Sequence, residues 1–404
     1  MAYNPKNLDL EKAIRERSKA ARHASLDYKP PKHFRVFRNL LIAAIVIAMT
    51  AVLYTIYWFV VATNMKEAMS DWIADRARQG VVASYQKIDV SGFPFKFKVV
   101  LTEPKLQTKD LFGASHQDLG GEKWLWQGGQ ASAEMKPWNF RQFTVDLSGA
   151  HDVTFEDKGG RYRFVGEAQK FFMATKIYAD GWPERFQMNF AGVNFSEQNS
   201  KAIIAAKSGS INSERLRPGE AAGYGNAKTK TYSLKAYLEE VRLPNFLNLP
   251  LGLNVQKLST ELSVIGHLQP SITVQNLAKW RDRGGIIEIE LLDATYGTLK
   301  THATGTLALD KNLQPLAAMS ANFQGFFPAI NKLKNAGYIR SGDAAMAKLV
   351  LGVLSRRDNG GKRIISLPLT LQDGQFSAGP VPLMAVPAID WGEDVPPPVK
   401  PSQF

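Results

Sequence analysis

Six histidines, His23, His33, His116, His151, His267 and His302, are the side chains best suited to hold a metal or move a proton near neutral pH. No two of them stand at i, i+3 or i+4, the spacing that sets two imidazoles on one helix face around zinc. The chain has 404 residues and no cysteine, which removes disulfides, thiolate metal sites and thiol nucleophiles together. Ser84-Tyr85-Gln86-Lys87 fits S-x-x-K, in which a lysine takes the serine proton, but no K-T-G accompanies it and so short a pattern arises by chance. Gly223-Tyr224-Gly225 lacks the third glycine of a dinucleotide loop, and neither a Walker loop nor a G-x-S-x-G elbow occurs. Glu239 and Glu240 are adjacent and read as a solvated face. No catalytic residue, metal or cofactor is assigned, and a binding protein outranks an enzyme.

Apolar chemistry is what the pattern offers instead. In "SGFPFKFKVVLTEPKL", residues 91–106, Phe93, Phe95, Phe97, Val99 and Leu101 alternate with Lys96, Lys98 and Thr102, so an extended chain would put all five on one face. They are the candidate lipid-binding residues, shielding acyl chains from water on the concave side of a curled sheet; the alternative is that they fill a closed core.

The elements that must carry such a face begin at a membrane. Residues 40–62, "LLIAAIVIAMTAVLYTIYWFVVA", hold no charge, Pro or Gly, and a helix of that length spans about 34 Å against a hydrocarbon core of about 30 Å. Tyr54, Tyr57 and Trp58 crowd its second half, as membrane-interface anchors do. The basic tail 1–39 carries ten Lys and Arg against four acids, net +6, whereas the segment just after the span balances. Positive charge stays inside, so the expectation is a single-pass protein with a cytoplasmic N-terminus and its bulk across the membrane; in a bacterium that is the inner membrane, with the bulk in the periplasm. The tail reads as a disordered, solvated arm. No nucleic-acid module accompanies the charge; the expected partners are membrane lipids and other envelope proteins.

An amphipathic helix is expected over 63–84, with Met65, Met69, Trp72, Ile73 and Ala77 on one stripe and Gly80 as its stop. Strand patterns then dominate, with Asp157-Lys158-Gly159-Gly160 and Asp310-Lys311-Asn312 as turns. A loop-rich middle, residues 195–232, divides a first β-rich lobe (85–232) from a second lobe with helices (233–392). Ser233 is read as the cap of a short helix through Val241, and Asp343 as the N-cap of a late helix whose stripe, Met346, Leu349, Val350, Val353 and Leu354, should cover one face or end of the sheet. Residues 393–404 read as a disordered tail. The fold class is mainly β with a few helices: a transmembrane helix followed by a long curved antiparallel sheet, in one or two lobes.

"VSGFPFKFKVVLTEPKL" (90–106), "WRDRGGIIEIE", "GTLALDKNLQP" and "LPLTLQDGQFSAGPVPL" occur in that order, and with them the chain resembles the bacterial domain of unknown function family 2125 over most of residues 40–395. The resemblance implies a single-span envelope protein with a long β-rich exported part, and supplies no catalytic residues. A looser similarity, through the Gly305-Thr306-Leu307 strand style, runs to AsmA-like envelope proteins, whose curved sheets are associated with lipid transfer. Three readings stand: lipid binding or shielding in the envelope, a non-catalytic scaffold with a closed β core, and a periplasmic hydrolase.

Overall fold

A computed structural model describes residues 6–26, 32–78, 80–108, 123–157, 160–179, 181–200, 202–216, 229–247, 249, 251–269, 273–357, 361–379, 381–389 and 391. Two compact units result, Met1–Thr63 and Asn64–Phe404. The first holds α1 (Lys6–Leu26), so this part of the tail is a helix where a disordered arm was expected. Helix α2 (Lys32–Arg78) follows; its stretch from Val36 is long and apolar enough to cross a membrane. The amphipathic stripe expected to form a separate helix is the last part of α2. That helix stops at Arg78, Gly80 has a left-handed φ of 82°, and residues 81–84 are already strand.

The second unit is built on one 20-stranded sheet. Its first strands come in end-to-end pairs: β1 (Val81–Ser84) with β2 (Lys87–Ser91), β3 (Phe97–Thr102) with β4 (Lys105–Thr108), β5 (Lys123–Gly128) with β6 (Gln130–Lys136), and β7 (Asn139–Asp146) with β8 (Gly149–Asp157). Val81 opposite Thr108 and Ser91 opposite Lys98 belong to one antiparallel register, so each pair is a single long strand bent in its middle. The bend has a local cause. Pro104 has no N–H, and Glu103 takes a positive φ of 48°, yet the Gly128 amide still donates to the Pro104 carbonyl at 2.9 Å and the Glu103 amide to Gly129 at 3.0 Å.

From β9 (Gly160–Ile177) the strands are continuous. β8 pairs with the first half of β9 and β7 with the second, after which β10 (Pro183–Glu197), β11 (Ile203–Arg215), β12 (Lys230–Arg242), β13 (Asn254–Ile265), β14 (Ile286–Tyr296), β15 (Leu299–Leu309) and β16 (Pro315–Gln324) each pair with the strand before. β16 pairs with β18 (Arg363–Gln372), which also takes β17 (Arg356–Arg357) and β19 (Gln375–Ala378), and β20 (Val381–Ala385) closes the series. Apart from the short β17, spatial order equals chain order, the β-meander that the recurring strand signals imply. Among the described residues β20 does not pair back to β1 or β2, so the sheet is open. It also runs without a break through residue 232.

Three expectations are corrected here. Ser233 to Val241 is not a helix but the body of β12: Leu234 and Leu238, four residues apart, fit both a helical and an alternating period, and neighbours on both sides supply the ladder hydrogen bonds. The supposed loop-rich middle contains β11, whose small residues sit opposite large ones; Gly209 faces Phe190, whose ring fills the space a side chain would need. Residues 217–228, including Gly223-Tyr224-Gly225, lie outside the described residues, as do Lys158, Gly159 and the 393–404 tail. Asp343 is inside the first turn of α5 (Ser341–Leu354), whose N-cap is Arg340.

Helices occupy the strand connections. α3 (Val274–Asp282), not foreseen from the sequence, joins β13 to β14 and is capped by Thr273, whose side chain accepts from the Asn276 amide. Val274 and Ala278 pack with Leu313, Leu309 and Trp391, and the Trp280 indole donates to the Ile265 carbonyl at 2.9 Å. α4 (Phe326–Asn335) and α5 lie between β16 and β17.

Candidate functional site

Opposite residues of a paired ladder share a face, so the register sorts every side chain onto one side of the sheet or the other. One side is charged. Arg185 stands opposite Glu214 (2.8 Å), Lys235 opposite Glu261 (2.7 Å) and His302 opposite Asp293 (2.7 Å), with Lys207 reaching Glu239 at 2.8 Å and Glu240 at 3.4 Å. Glu239 and Glu240 therefore share one lysine on a solvated face. Lys207 holds the Glu239 carboxyl below its ordinary range, aided by the Ser208 hydroxyl.

The other side is apolar from edge to edge. Phe186, Met188 and Phe190 of β10 face Ser213, Ile211 and Gly209 of β11, which face Leu234, Ala236 and Leu238 of β12. The row continues through Leu262 and Leu258 of β13, Ile289 and Ala294 of β14, Gly305 and Thr301 of β15, and Met319 and Phe323 of β16, to Leu369 and Ile365 of β18. In β10 the apolar members are half-buried while Arg185, Gln187 and Asn189 between them are exposed. Ala303, Ala321 and Leu369 are buried among Leu292, Met319, Phe323 and Phe376, all on this one face. Ala303 and Ala321 are small enough to be covered by the larger side chains beside them on the same face. Register irregularities at Val255/Lys257, Glu261/Leu262 and Ile289/Leu292 sharpen the local twist and supply the curl. Among the described residues α4 makes the most extensive helix approach to the strands, at β15.

Of the five candidate lipid-binding residues, the structure puts three on this face. Phe97 is fully buried opposite Met135, Val99 is buried opposite Ala133, and Leu101 is half-buried opposite Ala131. Phe93 and Phe95 are not on the strand. They sit in the β2–β3 turn, 47% and 74% exposed, because Gly92 at φ 102° turns the extended chain and the Lys96 amide closes the turn on the Gly92 carbonyl at 3.0 Å. A side chain at position 92 would collide with the Lys96 carbonyl. The two rings line a cleft of ≈ 580 Å³ with Lys96, Glu134 and Phe143 at the hairpin tips. Of the interface candidates on α2, Tyr54 is half-buried, Tyr57 exposed and Trp58 buried.

Polar groups on the apolar face are few, and His151 is one of the buried ones. It stands opposite Gly166 and its ring packs 6.1 Å from Phe195 and 6.3 Å from Phe171, while the Trp126 indole donates to Nδ1 at 3.3 Å. Burial pushes its pKa below the ordinary histidine value, partly offset by the Leu147 backbone. An unfolded chain therefore takes up this proton first as pH falls. Stability carried by the neutral ring is present above about pH 6.5 and is lost on acidification below it. Urea midpoints at about pH 7 and about pH 5.5 should differ in the wild type, and by less in His151→Leu.

Lys87 pairs with Asp89 at 2.7 Å and Ser84 is exposed at the end of β1. Among the described residues no three His, Asp or Glu side chains gather as a metal site.

An open antiparallel sheet with one charged and one apolar face, following a helix able to cross a membrane, defines a β-rich protein of single-span architecture. Over residues 58–387 the chain matches the family described as "Uncharacterized protein conserved in bacteria (DUF2125)", and it belongs to that family. No curated protein and no solved structure matches it.

Proposed function

We propose that this is a non-catalytic protein of the bacterial cell envelope, held in the inner membrane by α2 with its N-terminus in the cytoplasm, and that the concave face of its sheet shields lipid acyl chains from water. The observation that carries the reading is the continuous apolar face, on which Phe190, Leu234, Leu258 and Ile289 stay only half-buried. A sheet with one solvated side normally buries the other against a second layer, and soluble surfaces rarely expose apolar patches beyond a few hundred Å². Each methylene moved from water onto such a face gains about 0.8 kcal/mol, so one acyl chain supplies several kcal/mol without any polar recognition.

Leu234 and Ile289 are half-buried members of the row, open enough that a carboxylate can remain hydrated. Full-length Leu234→Asp/Ile289→Asp should keep the wild-type β circular dichroism and lose about tenfold or more of the phospholipid extracted from the purified protein. Undiminished lipid in a folded variant, or a wild type that carries none and instead crosslinks to one envelope protein through this face, would replace the lipid reading with the scaffold. A C-terminal reporter active only in the cytoplasm would overturn the orientation.

A further inference from the structure

The apolar stripe of α5 faces outward. Met346, Leu349, Val350, Val353 and Leu354 fall at helical spacing on one side of the helix, and they are 64%, 65%, 42%, 78% and 61% exposed. The small side of the helix turns inward instead: Ala344 is its one buried residue, and Gly352 approaches the Phe327 ring of α4. The expectation that the stripe covers the sheet is thereby reversed. The helix is fixed in this pose at its C-terminal end, where Arg363 donates to the Gly352 carbonyl at 3.0 Å and to the Ser355 hydroxyl at 2.9 Å, and its guanidinium lies 6.0 Å from the centre of the Phe327 ring.

Charge decides what covers the stripe. Residues 326–363 contain eight Lys and Arg, namely Lys332, Lys334, Arg340, Lys348, Arg356, Arg357, Lys362 and Arg363, against Asp343 and Asp358, a net +6. Arg340 caps the start of α5, and Arg356 and Arg357 follow its end; all three are exposed. An exposed apolar helix face bracketed by arginines has the composition of a helix lying in a lipid headgroup layer, its apolar side sunk to the acyl boundary and its cations on anionic phosphates. The same rim disfavours a second copy, because it would set +6 against +6. The ladders put the end of β16 that leads into α4 and α5 at the same end of the strands as the start of β1.

We propose that α5 is a membrane-surface helix, docking on a bilayer that contains anionic phospholipid. The proposal is independent of what the concave face carries. Because the chain has no cysteine, Val353→Cys accepts a single environment-sensitive fluorophore on the full-length protein, reconstituted in phosphatidylcholine vesicles with or without phosphatidylglycerol. The expected result is a blue shift, with quenching by headgroup-proximal spin-labelled lipid, only when phosphatidylglycerol is present. High salt should reverse it, and adding Arg340→Glu/Arg356→Glu should reduce the quenched fraction about tenfold. A second label at Ile289→Cys, on the concave face, should show no such dependence on headgroup charge. A Val353 label that stays open to iodide in both kinds of vesicle overturns the proposal. So does one already shielded in detergent and crosslinking to a second copy or to a protein.

Discussion

Phe97→Ala is expected to destabilise the β unit by about 3–5 kcal/mol, whereas Phe95→Ala should shift it by less than about 0.5 kcal/mol. The two rings stand two residues apart and look equivalent on paper. Phe97 is fully buried, stacked 6.0 Å from Phe140 and flanked across the ladder by Met135, so truncation leaves a cavity that a rigid sheet cannot close. Phe95 projects from the turn into solvent, and removing it opens no void. Urea midpoints followed by tryptophan fluorescence separate the two outcomes. Equal losses at both positions would mean that the exposed turn is covered by something, and would reopen the assignment of Phe95 to an apolar surface.

Gly325→Ala should cost about 3 kcal/mol or more, through backbone strain and overlap together. Gly325 precedes α4 at φ 73°, and a Cβ there would land on the Thr298 carbonyl oxygen in the turn between β14 and β15. Backbone cannot step aside as a flexible side chain can, so α4 must lift, taking buried Phe326, Ala329 and Ile330 with it. Gly337→Ala is the control. Its φ of 78° is as strained, but nothing lies within reach of a new Cβ, so only the left-handed penalty of about 1–2 kcal/mol applies. Faster amide exchange over residues 326–335 in Gly325→Ala, with wild-type exchange there in Gly337→Ala, is the expected pattern. A wild-type midpoint in Gly325→Ala would show that the helix tolerates another approach to the sheet.

Much of the architecture was legible because it rests on local period. The apolar run of α2, the β9–β10 alternation and the turn at Asp310, whose carboxylate accepts from the Asn312 and Gln314 amides at 2.8 and 2.7 Å, each announce themselves within a few residues. The errors fall where two periods coincide. Leu234 and Leu238, four residues apart, satisfy a helix and a strand alike, and only neighbours distant in sequence choose between them. α3 escaped notice because its buried face, Val274, Ala278 and Trp280, is short and ends in a charged Arg281–Asp282 pair that looks like surface.

By itself the sequence determined that a long apolar helix leads into an antiparallel meander with amphipathic strands, because hydrophobic spacing constrains each strand on its own. Tertiary structure decided which side of each element meets another. It assembled the alternate residues of every strand into one continuous concave face, left Phe93 and Phe95 off it by a turn at Gly92, and faced the α5 stripe outward. Amphipathicity says only that two sides of an element differ; whether the apolar side meets protein or is left for a ligand depends on curvature and on packing partners tens of residues away, and no local pattern encodes either.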